Sequence, residues 1–203
     1  MESTATNRET GRARLRDALI AAARELTVAH GWKNVGMAQV ARAAGVSRQT
    51  VYNEFDGRAG LAGALVLREV DRFVADVRTE LFTRGADVHA AAHAAILHTL
   101  REAAGNPLVH EILAGPTAQA DELLPFLTTR SGAVLTTAGA VIEEWAAQFV
   151  PDVEPPVLAQ AADAIVRLTI SHVMLPLASP EESATALADV FTRLLSFTPR
   201  PPM

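Results

Sequence analysis

Apolar residues recur four and three apart at Leu15, Leu19, Ala22, Leu26 and Ala29, which predicts a helix over 12–30. Gly31 supplies a left-handed stop, and Trp32 behind it reads as a core plug under that helix. A short Ala-rich helix fits 37–44 and ends at Gly45. A third starts at Ser47, whose hydroxyl can cap the amide of Gln49 or Thr50, and runs to Asn53. Asp56-Gly57 marks a turn, and a long helix is predicted over 58–83 with the stripe Val66, Val70, Phe73, Val77 and Leu81. Helices are predicted again at 87–104, 107–114, 120–149, 156–175 and 181–196. They are separated by Gly105-Asn106-Pro107, Gly115-Pro116, Pro151, Pro155-Pro156, Pro176 and Pro180. Pro125 and Gly132 are positions where 120–149 can kink or split. No window sustains period-two alternation, so the expected fold class is all-α, with an extended tail at 198–202 and no internal repeat.

The first three helices, joined through Ala44-Gly45-Val46-Ser47, have the spacing of a helix-turn-helix. Gly45 permits a positive φ where the chain reverses, and Val46 turns inward. Val40, Ala41 and Val51 are spaced to build the small core between the second and third helices. The remaining face of the third helix then carries Arg48, Gln49, Thr50 and Asn53. Arg forks onto guanine, Gln or Asn pairs with adenine, and the Thr methyl packs on thymine. An ordinary solvated helix is the other reading that the spacing alone allows.

Charge sharpens this picture. The net charge of −5 divides into nine Lys/Arg against six Asp/Glu over residues 1–60, and nine against seventeen over the rest. A basic head on an acidic body suggests that the N-terminal part meets a polyanion; an ordinary solvated surface is the other reading of so small an excess. The absence of Cys excludes a disulfide scaffold, a thiol nucleophile and thiolate zinc sites. With neither a signal-like N-terminal apolar run nor about 18 consecutive apolar residues, a cytoplasmic chain with no membrane partner is expected.

The run Gln39–Phe55 (QVARAAGVSRQTVYNEF), followed by Arg58 and Leu61, resembles the DNA-binding signature of TetR-family transcriptional repressors, and Gly31-Trp32 matches that family's Gly-aromatic step. The resemblance implies a helix-turn-helix DNA-binding domain with an N-terminal arm at 1–57 and a helical effector-binding and dimerisation domain at 58–203. It implies base-facing roles for Arg48, Gln49, Thr50 and Asn53, a phosphate-reaching hydroxyl on Tyr52, and a phosphate contact from Arg58. Ser47, which caps that helix, is expected among the DNA-binding residues as well. Gly36 stands where the family usually has Thr or Ser, which leaves Gln39 as the replacement contact, and Thr27 stands where a large aromatic is common. Arg8, Arg12, Arg14 and Arg16 either form an arm toward the DNA or a solvated face.

For the acidic remainder, the resemblance implies homodimerisation and a small-molecule effector. The dimer pair is expected in 156–175 and 181–196, with Ile165, Leu168, His172, Leu187, Phe191 and Leu194 at the interface; an intramolecular core is the other reading of those stripes. Phe73, Leu97, Leu113, Phe126, Ile142 and Trp145 are the expected pocket lining, although ordinary core packing fits each one taken singly. Their apolar character favours a hydrophobic ligand. The stretches Ser47–Phe55 and Leu61–Leu67 also resemble actinobacterial members linked to lipid or alkane metabolism, which implies a fatty acyl-like effector. The long helix at 58–83 would be the lever from Arg58 to Phe73.

His89 and His93, four apart, offer half a metal site, but no third ligand is fixed by spacing, so neither metal nor cofactor is expected. His110-Glu111 opens like a zinc-protease helix, and Ala114 removes the required second His. With no phosphate loop or nucleophile elbow, the chain is expected not to be an enzyme. The expected function is a dimeric repressor that leaves a palindromic operator when an effector binds. An architectural or activating DNA-binding protein without ligand-driven release is the alternative.

Overall fold

The computed structural model describes residues 2–113, 123–129 and 131–196, and among these there are helices and turns and no strand. The helices are α1 (Glu2–His30), α2 (Met37–Ala43), α3 (Arg48–Phe55), α4 (Arg58–Arg84), α5 (Val88–Gly105), α6 (Pro107–Leu113), α7 (Gly132–Phe149), α8 (Pro155–Met174) and α9 (Pro180–Leu195), with 3-10 turns at Trp32–Asn34 and Leu124–Leu127. The fold is all-α. Two boundaries differ from the sequence expectation by more than two residues. α1 starts ten residues earlier, because 2–11 is polar on every face and gives periodicity nothing to detect. The helix expected over 120–149 is a 3-10 turn containing Pro125 followed by α7 from Gly132, so the residues flagged as breakers do break it. Residues 114 and 120–122 of the expected helices, the Gly115-Pro116 break and the tail at 198–202 lie outside the described residues.

The chain forms two compact units, one of residues up to Glu69 with 107–128, the other of 70–106 with 129 onward. The first unit thus takes in the opening turns of α4 and all of α6. Its core is Leu19, Ile20, Ala23, Trp32, Val40, Ala41, Val51, Phe55, Leu61, Leu65 and Leu108. Thr27 is buried there too, its hydroxyl donating to the Ala23 carbonyl at 2.7 Å, which satisfies the polar group within its own helix. Two ion pairs tie α1 to α4: Arg24 to the buried Glu69 at 2.7 Å, and Arg68 to Asp17.

In the second unit α5 packs on α9 and α8, and α7 on α8. Facing alanines (Ala91, Ala92 and Ala95 on α5, Ala184 and Ala188 on α9) bring the backbones close, and Leu81, Ile96, Leu100, Ile142, Trp145, Ile165, Leu187 and Phe191 fill the space between. The Trp145 indole donates to the Gly85 carbonyl at 3.0 Å, so its buried N–H is satisfied. α8 alone among the described helices is long and apolar enough to pass for a membrane span. It carries the Asp163–Arg167 pair on one face and buries Ala161, Ala162, Ile165 and Thr169 on another, the one-sided burial of an amphipathic helix.

Candidate nucleic-acid interface

α3 is fixed from both ends. At its start, Gly45 adopts φ +70°, the Val46 amide donates to the Ala41 carbonyl at 2.9 Å, and Ser47 Oγ accepts from the Thr50 amide at 3.1 Å. At its end, Asp56 takes a left-handed φ of 52° with its amide on the Tyr52 carbonyl, and Gly57 follows at φ +104°. Gly60 lets α4 pass the end of α3, since a Cβ there would sit 1.8 Å from the Phe55 carbonyl oxygen. Val51 and Phe55 are buried, which leaves the remaining faces of α3 outward.

Those faces are already paired at i,i+4. Arg48 Nη2 donates to the Tyr52 hydroxyl at 3.0 Å with its guanidinium 5.2 Å from the ring centroid, and Gln49 Nε2 donates to Asn53 Oδ1 at 2.8 Å. Ser47 and Thr50 hydroxyls lie 2.9 Å apart. The pairs hold these side chains in ordered rotamers and leave functional groups outward. The Tyr52 hydroxyl accepts from Arg48, so its own proton remains to donate. The Gln49–Asn53 pair leaves one amide oxygen and one amide nitrogen, whichever way the two amides are turned.

Gln39 is exposed on α2, where its Oε1 accepts the Gly36 amide at 2.7 Å. This supplies the half of a capping box that glycine permits, and leaves the Gln39 Nε2 group for a contact outside the protein. Arg58 fastens the turn before α2 from the start of α4. Its Nε donates to the Val35 carbonyl at 3.1 Å, its Nη2 to the Trp32 carbonyl, and its guanidinium stacks 4.7 Å from the Trp32 ring. A phosphate contact by Arg58 competes with this fastening of the 32–35 turn. Glu111 of α6 completes the same corner by accepting the Trp32 amide at 2.9 Å, beside Gly31 at φ +76°.

Sequence reading assigned no role to Glu54. Its carboxylate accepts Arg12 Nε at 2.9 Å and Arg16 Nη1 at 3.0 Å, and Arg16 also lies 4.7 Å over the Phe55 ring. Burial pushes this carboxyl up, but the hydrogen bonds and charges of Arg16 and Arg12 together hold it below its ordinary value of 4.5. Arg12 and Arg16 thus lie on a helix joined to α3 and do not form a loose arm; the Arg8 side chain lies outside the described residues.

Family models match over this head and beyond it: the bacterial regulatory proteins of the tetR family over residues 19–65, and the bacterial tetracyclin repressor C-terminal domain over 87–193. The HTH-type transcriptional regulator AlkX of Mycobacterium tuberculosis H37Rv is 37% identical over 189 residues, which are 91% of this chain and 86% of that one. The chain belongs to the TetR family of transcriptional regulators. The regulator Rv1255c of the same organism is 31% identical over 169 residues, 79% of this chain and 75% of that one. Among solved structures, the TetR family repressor AlkX from Dietzia sp. strain DQ12-45-1b, implicated in biodegradation of n-alkanes, superposes with TM-score 0.75 at 29% identity, covering 88% of this chain and 96% of that one. TetR-family proteins are DNA-binding transcriptional regulators rather than enzymes, and they typically form dimers.

Within this TetR-family regulator, the residues expected to line an effector pocket divide between the units: Leu113 and Phe126 belong to the first, Phe73, Leu97, Ile142 and Trp145 to the second. The Phe126 ring lies against Gly63 of α4, 2.8 Å from where a Cβ would stand. Ile142 and Trp145 are buried core. Of the expected dimer residues, Ile165, Leu187 and Phe191 are buried within the single chain. Leu194 is half-buried against the same core, and His172 Nδ1 lies 3.2 Å from the Ser183 hydroxyl. Leu168 stays exposed at 39%. His89 and His93 stack with ring centroids 6.3 Å apart, and His89 Nε2 lies 3.1 Å from Asp189; among the described residues no three His, Cys, Asp or Glu gather to hold a metal.

Proposed function

We propose that this regulator is a repressor that binds a palindromic operator as a homodimer and is released by a small hydrophobic effector. The observation that carries the DNA-reading half is the outward face of α3, where two i,i+4 pairs hold base- and phosphate-directed groups in register. Arg48 reads guanine through its remaining N–H groups. The amide oxygen and nitrogen left by the Gln49–Asn53 pair match adenine, which offers one donor and one acceptor on its major-groove edge. Tyr52, through its hydroxyl proton, and Gln39, through Nε2, reach phosphates, while the Thr50 methyl packs on thymine. The effector half rests on the apolar side chains of the helical body and on the likeness to the Dietzia repressor implicated in biodegradation of n-alkanes. A fatty acyl-like molecule fits both. Release needs only that such a ligand favour one of two conformations, and among the described residues α4 is the single helix that belongs to both units.

Fluorescence anisotropy on the DNA upstream of the chain's own gene, against scrambled DNA across a salt series, tests this reading. The expected result is tighter binding to the native DNA by about 4 kcal/mol or more, with a steep salt slope. Long-chain fatty acids and acyl thioesters added to that complex should then lower the anisotropy. Selective binding that no such ligand reverses would favour an architectural or activating role, and no binding at low salt would overturn the proposal.

A further inference from the structure

Glu54 is an oddity on a helix built to approach a polyanion. A lone carboxylate one residue beyond Asn53 would repel phosphates. Here the side chain is only 8% exposed and is covered by two arginines from α1. Arg12 and Arg16 sit at i,i+4, where two like charges disfavour each other unless an anion lies between them. The carboxylate resolves that repulsion, and the trio keeps one net positive charge beside α3.

The two arginines are held differently. Arg16 is engaged by the Glu54 carboxylate, by the Glu54 carbonyl at 3.4 Å and by the Phe55 ring. Among the described residues Arg12 is held through Nε alone, and its side chain is 70% exposed. Its two Nη groups, the planar fork that suits a phosphate, therefore face solvent while its stem is anchored to α3. Anchoring at Nε fixes the direction of the fork and removes much of the rotamer freedom a free arginine would lose on binding.

We propose that Arg12 is a phosphate-contacting residue of the operator complex and that Glu54 is its positioning residue. The footprint then extends from α3 to the side of α1, so that a carboxylate on the reading helix assists DNA binding through the arginine it orients. This inference rests on the DNA-binding reading above.

Salt titrations of operator affinity test it, on chains whose melting shows them folded. Arg12→Ala should reduce the slope of log K against log salt by about 0.9 for each head, without altering base preference. Arg12→Lys should keep the slope and weaken binding about tenfold, because the charge stays and the fork is lost. Glu54→Gln should weaken binding when Arg12 is present and fail to weaken it in the Arg12→Ala background. An unchanged slope in Arg12→Ala overturns the proposal, as does Glu54→Gln tightening binding equally in both backgrounds, which would make Glu54 merely a repelling charge. Should Glu54→Gln not fold, the slope of Arg12→Ala and the affinity of Arg12→Lys decide. If the unaltered protein binds no DNA selectively, the DNA-binding reading fails and this one with it; selective, salt-steep binding that Arg12→Ala leaves intact removes this inference alone.

Discussion

Arg48 and Tyr52 act as one unit, because the guanidinium both donates to the hydroxyl and stacks over the ring. Arg48→Ala should cost about 1–3 kcal/mol of operator affinity and relax preference at one base position. Tyr52→Phe keeps the ring under the guanidinium and removes the hydroxyl that orients it. Its main effect should be a weakening common to all sequences, from the lost phosphate contact, with a smaller loss of selectivity through Arg48. The double variant should therefore cost less than the two single costs added together, with a coupling of about 0.5–3 kcal/mol. Anisotropy on operator and scrambled DNA with all four chains measures this, and strict additivity would show that the pair seen in the free protein does not persist on DNA. A second residue-scale prediction concerns Gly60. Its side-chain position is occupied by the Phe55 carbonyl oxygen at 1.8 Å, a backbone atom that cannot rotate away. Gly60→Ala should lower stability by about 3 kcal/mol in thermal or denaturant melts despite the better helix propensity of Ala, because α3 and α4 must separate.

At the scale of elements, much was legible. Ser47 before RQTV announced the start of α3, Gly45 its preceding turn and Asp56-Gly57 its end, since capping and left-handed backbone are local chemistry carried by single residue types. Partnerships across about forty residues were not legible, because periodicity reports which face of a helix is apolar and nothing about what a charged residue meets. Glu54 is the example: in the sequence it is one more polar position, and in the structure it joins α1 to α3. Its lowered pKa makes the joint sensitive to acid. With the folded-state value below 4.5, the pairing contributes stability in full above that pH and loses it as pH falls through the folded value, where the carboxyl takes up its proton. The melting difference between the unaltered chain and Glu54→Gln should thus be constant near neutrality and shrink toward acid. A melting difference near zero at neutral pH would show that the carboxylate contributes little to holding the two helices.

For the whole molecule, the stripes on α8 and α9 show where sequence reading stops. Ile165, Leu187 and Phe191 have the spacing of an interface, yet they are buried within one chain, and only three-dimensional packing distinguishes the two uses of an apolar face. Phe191→Ala should therefore destabilise the folded chain by about 3–5 kcal/mol, as a core deletion does. A dimer through these helices must use what is left exposed, including Leu168 and Val190 at 39% and 37%. One α3 reads too few bases to single out an operator, so two heads on successive major grooves are needed for useful selectivity. Introducing Leu168→Glu with Val190→Glu should leave melting of the single chain nearly unchanged, since both sites face solvent there. In light scattering it should yield a monomer, because two carboxylates would have to be desolvated at the contact. On DNA the salt slope should fall to about half, each head keeping its own phosphate contacts. A variant that remains dimeric would place the contact elsewhere on the second unit. A monomer that keeps full affinity and slope would mean one head suffices, and the requirement for a palindrome would fall with it.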